Sequence, residues 1–350
     1  MKQTAPNRTR ITTFSKNVVL FLTLTVSSLA VAQAVPTIGA EGVDEGSKAP
    51  YRGTSVAYGH SLSVYNPTPE TTVYTHRLGL MPEWHFNDAF HVRARFYLTQ
   101  ELTLSDSTNR PYEVELSDLW LDAVWGGWRE KITGIKFAAD LRTTIPTSKP
   151  SLAASRILTL GPGINVSRTF KVLSGLTLVY SVRGTWRFNR FSTRQNQGPR
   201  TENADCGSGN ANARIPEAGF ESLQICGTST GLTNIQGDVL HGPTVIFNPH
   251  ERLNIAASFF MQRGWVPGLS ATDLVPAVAA QTRDFIGFSV GITYQPWDVV
   301  GFTLGAFTFA NQLDTTGQYI FPLFNRNTAA SIDATFDLEA IVSSVTKEKK

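Results

Sequence analysis

Between residues 72 and 102 the chain alternates apolar and polar side chains for longer than a soluble sheet requires. In the first arm Tyr74, Leu78, Leu80, Trp84 and Phe86 share one parity, and Arg77, Glu83 and His85 share the other. Past Asn87-Asp88, Phe90, Val92, Ala94, Phe96 and Leu98 lie opposite His91, Arg93, Arg95, Tyr97 and Thr99. Successive side chains of a strand point to opposite faces, so the pattern predicts a two-faced hairpin. Each arm exceeds ten residues. Soluble strands have a mode of about 5–6 residues, and a tilted membrane-spanning strand needs about 9–11. One face is unbroken hydrocarbon with aromatics near the turn, and the other carries full charges. Greasy outside and ionised inside predicts a transmembrane β-barrel.

The alternation recurs along the chain. Residues 55–65 set Val56, Tyr58, Leu62 and Val64 against Ser55, Ala57, Gly59, Ser61 and Ser63. Residues 114–126 set Leu119, Leu121, Ala123 and Trp125 against Asp118, Trp120 and Asp122, and residues 132–145 set Ile135, Phe137, Ala139 and Leu141 against Lys136, Asp140 and Arg142. Residues 155–169 carry Thr159, Gly161, Gly163, Asn165 and Ser167 on the polar face; residues 176–191 carry Ser181, Arg183, Thr185 and Arg187. Residues 239–248 are the weakest strand, because Gly242-Pro243 interrupts them. Residues 253–262, 284–295 and 299–310 follow, and residues 329–341 set Ile332, Ala334, Phe336 and Leu338 against Asp333, Thr335, Asp337 and Glu339. The predicted fold is all-β: a transmembrane antiparallel up-and-down β-barrel of about 12 strands.

The joints support this reading independently. Tight ones fall at Asn87-Asp88, Gly126-Gly127, and residues 172–175, 248–251 and 295–298; those between them are mostly longer, notably 191–238, 263–282 and 311–327. Short turns on one side and long loops on the other are the outer-membrane arrangement, periplasmic turns against extracellular loops. Trp84, Phe86, Tyr294 and Trp297 lie toward the tight turns, and Trp186, Phe188 and Trp265 toward the long loops, as two aromatic girdles would.

Residues 1–32 read as a secretory signal peptide, with Lys2, Arg8, Arg10 and Lys16 ahead of an apolar run and Ala30-Val31-Ala32 as the cleavage site, Ala32-Gln33-Ala34 being the alternative. Its removal takes away four positive charges and no negative one, so the formal net charge falls from +3 to −1. A basic nucleic-acid-binding surface is therefore not expected. Residues 33–53 form a periplasmic lead-in, 54–341 the barrel, and 342–350 a charged tail. Cys206 and Cys226, the only two cysteines, fall in one Gly/Asn/Ser-rich loop. In an exported chain they predict a disulfide that closes about twenty residues and contributes about 3 kcal/mol.

On these features the chain resembles the Gram-negative outer-membrane β-barrel class, porin-like in pattern, over residues 54–341. Ile145-Pro146-Thr147-Ser148, followed by Leu160-Gly161-Pro162-Gly163, is similar to segments of uncharacterised barrels of that class. The resemblance implies outer-membrane lipids and the barrel-assembly machinery as partners. One departure is the end of the chain: such barrels commonly finish on an aromatic residue, whereas here Phe336 precedes a tail ending Lys-Glu-Lys-Lys.

The inward charges are where function would lie. If Phe86 faces Phe90, Glu83 stands opposite Arg93; if Trp125 faces Ile135, Asp118 stands opposite Arg142. Both are expected as structural ion pairs. Arg183 and Arg187 have no acidic neighbour on the strands flanking theirs, and Asp333, Asp337 and Glu339 have no basic one. These two groups are expected to face each other across the lumen, either meeting and closing it or, the favoured reading, with water between them in a narrow passage. With Arg93, Arg95, Asp118, Asp122, Lys136, Asp140 and Arg142 they line a bore whose remaining wall is small and polar. That wall fits a passive channel for small hydrophilic solutes. A structural or adhesive barrel with a ligand-binding long loop is the alternative, and an outer-membrane lipid hydrolase the less favoured one. Enzymatic signals are weak: the one Gly-x-Ser-x-Gly spacing, residues 227–231, falls within the long Gly/Asn/Ser-rich loop and not at a strand-to-helix elbow, and His-Glu-x-x-His does not occur. His60 and His76 fall on the lipid side while Ser61 and Ser63 fall inside, which separates base from nucleophile. His85 and His91 with Glu83 could hold a metal, but plain polar lining is the commoner role of such a pair; no cofactor or metal is expected.

Overall fold

The computed structural model describes residues 49–64, 72–103, 112–193, 233–268, 279–313, 317–325 and 327–348. The signal segment, most of the lead-in, Cys206, Cys226 and the middle of the long loop lie outside the described residues.

Strand segments run β1 (Ser55–Ser63), β2 (Tyr74–Met81), β3 (Glu83–His85), β4 (Phe90–Glu101), β5 (Val114–Leu116), β6 (Leu119–Arg129) and β7 (Lys136–Ile145). A short helix α1 (Lys149–Ala153) precedes β8 (Arg156–Phe170), β9 (Leu176–Asn189), β10 (Gly237–His250), β11 (Leu253–Val266), β12 (Gln281–Trp297), β13 (Val300–Asn311) and β14 (Ala329–Asp337). Helix α2 (Leu338–Glu348) follows. Every pairing is antiparallel and, with β2/β3 and β5/β6 each counted as one position, to the next position in sequence; the β1–β14 ladder closes the sheet on itself. Pro82 divides β2 from β3, yet both pair with β4, and β5 and β6 likewise share β4. The wall therefore has twelve strand positions made of fourteen segments. Closure leaves no edge, which is what lets a sheet lie in hydrocarbon.

The burial pattern is inverted relative to a soluble protein. The largest side chains with least exposure are Asn254, Thr308, Asp122 and Asp333, all polar or charged. Trp84, Phe86, Trp125, Trp128, Tyr294 and Trp297 are exposed toward the short turns, and Trp186, Phe188 and Trp265 toward the long loops. Between them Leu78, Leu98, Leu141, Ile164, Leu178, Ile292, Leu304 and Ile332 are exposed as a hydrocarbon band. Such a surface fits lipid and not water. Among the described residues no helix is long and apolar enough to cross a membrane; the strands do so.

Three sequence expectations are corrected. Gly126-Gly127 is not a turn. β6 continues through it as a bulge, and the reversal comes at residues 130–135. Gly127 has φ +88, and a Cβ there would lie 1.6 Å from the Phe137 carbonyl oxygen, so only glycine fits this kink. Trp125 consequently pairs with Ala139 and not Ile135. Second, β10 runs unbroken past Gly242-Pro243, both of which stay in register with β9. Third, the last strand stops at Asp337. The Asp337 carboxylate accepts the Ala340 N–H at 3.0 Å, and Leu338, Ile341, Val342 and Val345 repeat with a helical period. Glu339 thus belongs to the first turn of α2 and not to the lumen wall.

Candidate functional site

The inner face of β3, β4, β6 and β7 carries a ladder of alternating sign. Register places Glu83 opposite Arg93, Arg93 opposite Asp122, and Asp122 opposite Arg142. Antiparallel partners share a face, so alternation across strands becomes a continuous ionic row. Asp122 is its centre. It accepts from Arg142 Nε at 2.6 Å and Nη2 at 3.2 Å, and from Arg95 Nη2 at 3.0 Å, with Arg93 Nη2 at 3.7 Å. Its side chain is 1% exposed. Arg142 also lies over the Trp120 ring, 4.5 Å from its centroid. Glu83 stands 4.0 Å from Arg93 but is nearer to His85 and His91.

The expected Asp118–Arg142 pair does not form. The reversal at residues 130–135 sets β7 four residues away from the expected register, and the one-residue bulge at Gly126-Gly127 adjusts it so that Arg142 meets Asp122. Asp118 instead holds the loop after β7. It accepts from the N–H groups of Thr147 and Ser148 at 3.1 and 2.9 Å and from Ser151 Oγ at 2.5 Å, with Arg156 at 3.6 Å. The Ile145-Pro146-Thr147-Ser148 segment is thereby fixed at the start of α1, with Ser148 as its N-cap.

Arg183, Arg187 and Asp333 are not left to face one another across the bore. Arg183 pairs with Asp140, Arg187 with Asp238, and Arg77 with Asp333 at 3.0 Å. Two of these pairs skip a strand. Gly163 lies between Asp140 and Arg183 in register, and Gly59 lies between Arg77 and Asp333. A Cβ on Gly163 would stand 2.7 Å from Asp140 Oδ2, and one on Gly59 would stand 1.8 Å from Asp333 Oδ1. The glycines are windows through which charges two strands apart meet over bare backbone. Asp140 and Arg77 are the partners that reading flanking strands alone does not supply, whereas Asp238 lies on the flanking strand β10, which starts ahead of the predicted residue 239. An inward glycine with an arginine beside it is the signal that would have found the skipped pairs. Lys136 sits on the inner parity of β7 opposite Ser167, and Asp337 at the rim caps α2.

The opposite part of the lumen is not uniformly small and polar. Leu240 and Phe260 are buried with Phe309 against them, and Val179, Ile246 and Ala256 form a second buried patch. Phe260 and Phe309 stack at 5.9 Å across Gly287, the same window in aromatic form. Paired phenylalanines such as Phe259-Phe260 place one ring on each face, so one must point inward. Beside the ionic wall a cavity of about 20 Å³ is bounded by Arg142, Thr144, Thr159 and Arg183, and a second of about 10 Å³ by Arg183, Leu240, Thr244 and Phe260. Each has about the room of one water molecule.

A closed antiparallel cylinder with a hydrocarbon exterior, two aromatic girdles and an ionised inner wall is an outer-membrane-type β-barrel. No known protein family and no curated protein matches the sequence. Among solved structures, the COG4313 outer membrane channel of Pseudomonas putida F1 is similar at a TM-score of 0.49 and 10% identity, over 82% of this chain and 96% of that one. The NanC porin is similar at 0.41 and 9%, over 81% and 99%. The KdgM porin is similar at 0.38 and 8%, over 81% and 98%.

Proposed function

We propose that this protein resides in the outer membrane and acts as a narrow passive channel for small hydrophilic solutes, without enzymatic activity. The ionic wall carries the reading. A row of guanidinium and carboxylate groups inside a cylinder needs partners and water, and it offers a permeating solute hydrogen bonds that hydrocarbon cannot. Because each carboxylate of the row stands against a guanidinium and only Asp122 is shared by three, the row's net charge is small and positive and it discriminates weakly by sign. The gaps beside Arg142 and Arg183 each have room for about one water molecule, so a bore along this wall would suit ions and very small solutes.

The test is single-channel recording in planar bilayers with folded, detergent-purified protein. The expected result is a small conductance with little preference between potassium and chloride, shifted toward anions in Asp122→Asn. Folded protein that never rises above baseline conductance sinks the channel reading. The second reading, a closed structural barrel, would then follow from the near-complete withdrawal of Asp122 and Asp333 from solvent.

A further inference from the structure

At the short-turn mouth of the barrel, Glu83, His85 and His91 bring one carboxylate oxygen and two imidazole nitrogens within 4.8 Å of one another. Glu83 and His85 are two residues apart on β3 and so share the inner face; His91 is the register partner of His85 on β4. Glu83 Oε1 lies 2.8 Å from His85 Nε2 and 3.3 Å from His91 Nε2, and the two rings stack at 4.6 Å. A tetrahedral ion with bonds of about 2.0–2.2 Å separates its ligand atoms by about 3.4 Å. The His91 contact already has that spacing, and the His85 contact must open by about half an ångström.

The surroundings hold the trio in place. Gly53, at φ +82, brings bare backbone against Glu83; a Cβ there would sit 3.1 Å from the carboxyl carbon. Thr54 Oγ1 accepts the Glu83 N–H at 3.0 Å and donates to the Glu83 carbonyl at 3.1 Å, while the Pro50 carbonyl accepts the His85 N–H at 2.6 Å. Two guanidiniums lie close. Arg52 is drawn off to Asp88 at 3.0 Å, and Arg93 lies 3.7 Å from Asp122. Their charge opposes a cation, and their carboxylate partners blunt that opposition.

We infer that Glu83, His85 and His91 form a site for one divalent transition-metal ion of the zinc, copper or nickel kind at this mouth of the lumen. Two imidazoles and a carboxylate suit these borderline ions better than magnesium or calcium, which take all-oxygen sets. Three protein ligands leave a fourth position for water. A bound ion would clip β3 to β4 beside the lead-in residues that reach the mouth.

The test uses mature chain without a histidine tag, folded in detergent and titrated with Cu²⁺ alone and with Zn²⁺ alone. The expected result is one saturable equivalent, with a Cu²⁺ paramagnetic-resonance spectrum showing coupling to two nitrogens. Replacing a ligand should weaken binding by more than the 10–100-fold typical of losing a mere ligand support, so His91→Gln and Glu83→Gln should each do so. Arg93→Gln should tighten binding, because it removes the nearest opposing charge. The double variant His60→Gln, His76→Gln, which removes the lipid-side pair 5.9 Å apart, should bind as the parent does. Retention of the folded, fast-migrating gel band is required of every variant. Absence of saturable binding in the folded parent overturns the site, as does unchanged affinity in His91→Gln or loss confined to the lipid-side variant. Binding is read without conductance, so failure here is separate from failure of the channel reading.

Discussion

Gly59→Ala adds one carbon to the middle of β1, a substitution that inside an ordinary strand would be favourable by about 0.5–1 kcal/mol. Here the new Cβ would stand 1.8 Å from Asp333 Oδ1 and 2.7 Å from its Cγ, so the carboxylate has to leave. Asp333 is 1% exposed and is held by Arg77 from the far side of β1. Leaving a buried charge without its partner costs about 3–5 kcal/mol. Set against the alanine gain, the variant should lose about 2–4 kcal/mol. The control is Gly301→Ala on β13, where the nearest atom to a new Cβ is Thr293 Cγ2 at 3.9 Å, an ordinary contact. That variant should be neutral or slightly stabilised. Reversible urea unfolding from lipid vesicles, followed by tryptophan fluorescence, gives both values. Combining Gly59→Ala with Asp333→Ala should cost less than the two singles added, because both remove the same pair. If Gly59→Ala is as stable as Gly301→Ala, charges do not meet through glycine windows and the account of the wall is wrong.

Other outcomes follow from the same geometry. Asp122→Ala leaves the buried cations of Arg142 and Arg95, with Arg93 beside them, short of their shared carboxylate; about 3–5 kcal/mol should be lost in the same unfolding assay. In the turn between β6 and β7, the Thr133 hydroxyl and the N–H groups of Ile132 and Thr133 donate to the Glu130 carboxylate and hold its pKa below the usual value. A carboxyl whose folded value is depressed stabilises fully above its unfolded value near 4.5 and loses that contribution as pH falls through the folded value. The protection of the Thr133 amide, its exchange measured against the intrinsic rate at the same pH, should therefore fall in acid, and Glu130→Gln should remove that loss. Thiol labelling of exported, non-reduced protein should find neither Cys206 nor Cys226 reactive, and one labelled thiol per chain would refute their pairing.

Much of the barrel is written in the chain's local chemistry. A side-chain period of two decides which residues meet lipid and which meet the lumen, and this holds at Arg93, Arg183 and Asp333 whatever else the fold does. Strand spans, the alternation of short and long joints, and the girdle tryptophans follow from composition within each stretch. The Glu83–Arg93 register was legible as well, because only three residues separate Phe86 from Phe90 and leave the hairpin little choice. Helix α2 escaped the strand reading because its apolar residues fit a period of two as far as Leu338, and only the cap at Asp337 breaks the run.

Partner choice is another matter. A reversal at residues 130–135, with a one-residue bulge at Gly127, sets one strand past its expected neighbour, and Asp122 takes the place expected of Asp118 opposite Arg142 without any change of face. Glycines at 59 and 163 remove the side chain that would screen one strand from the next but one, so Arg77 finds Asp333 at the seam where the first and last strands join. Residues alone determined a sided, membrane-length, twelve-position wall, since face depends only on backbone pleat. Which charge neutralises which was decided by closure of the cylinder, because stagger between strands and openings in the wall exist only once all of them are in place.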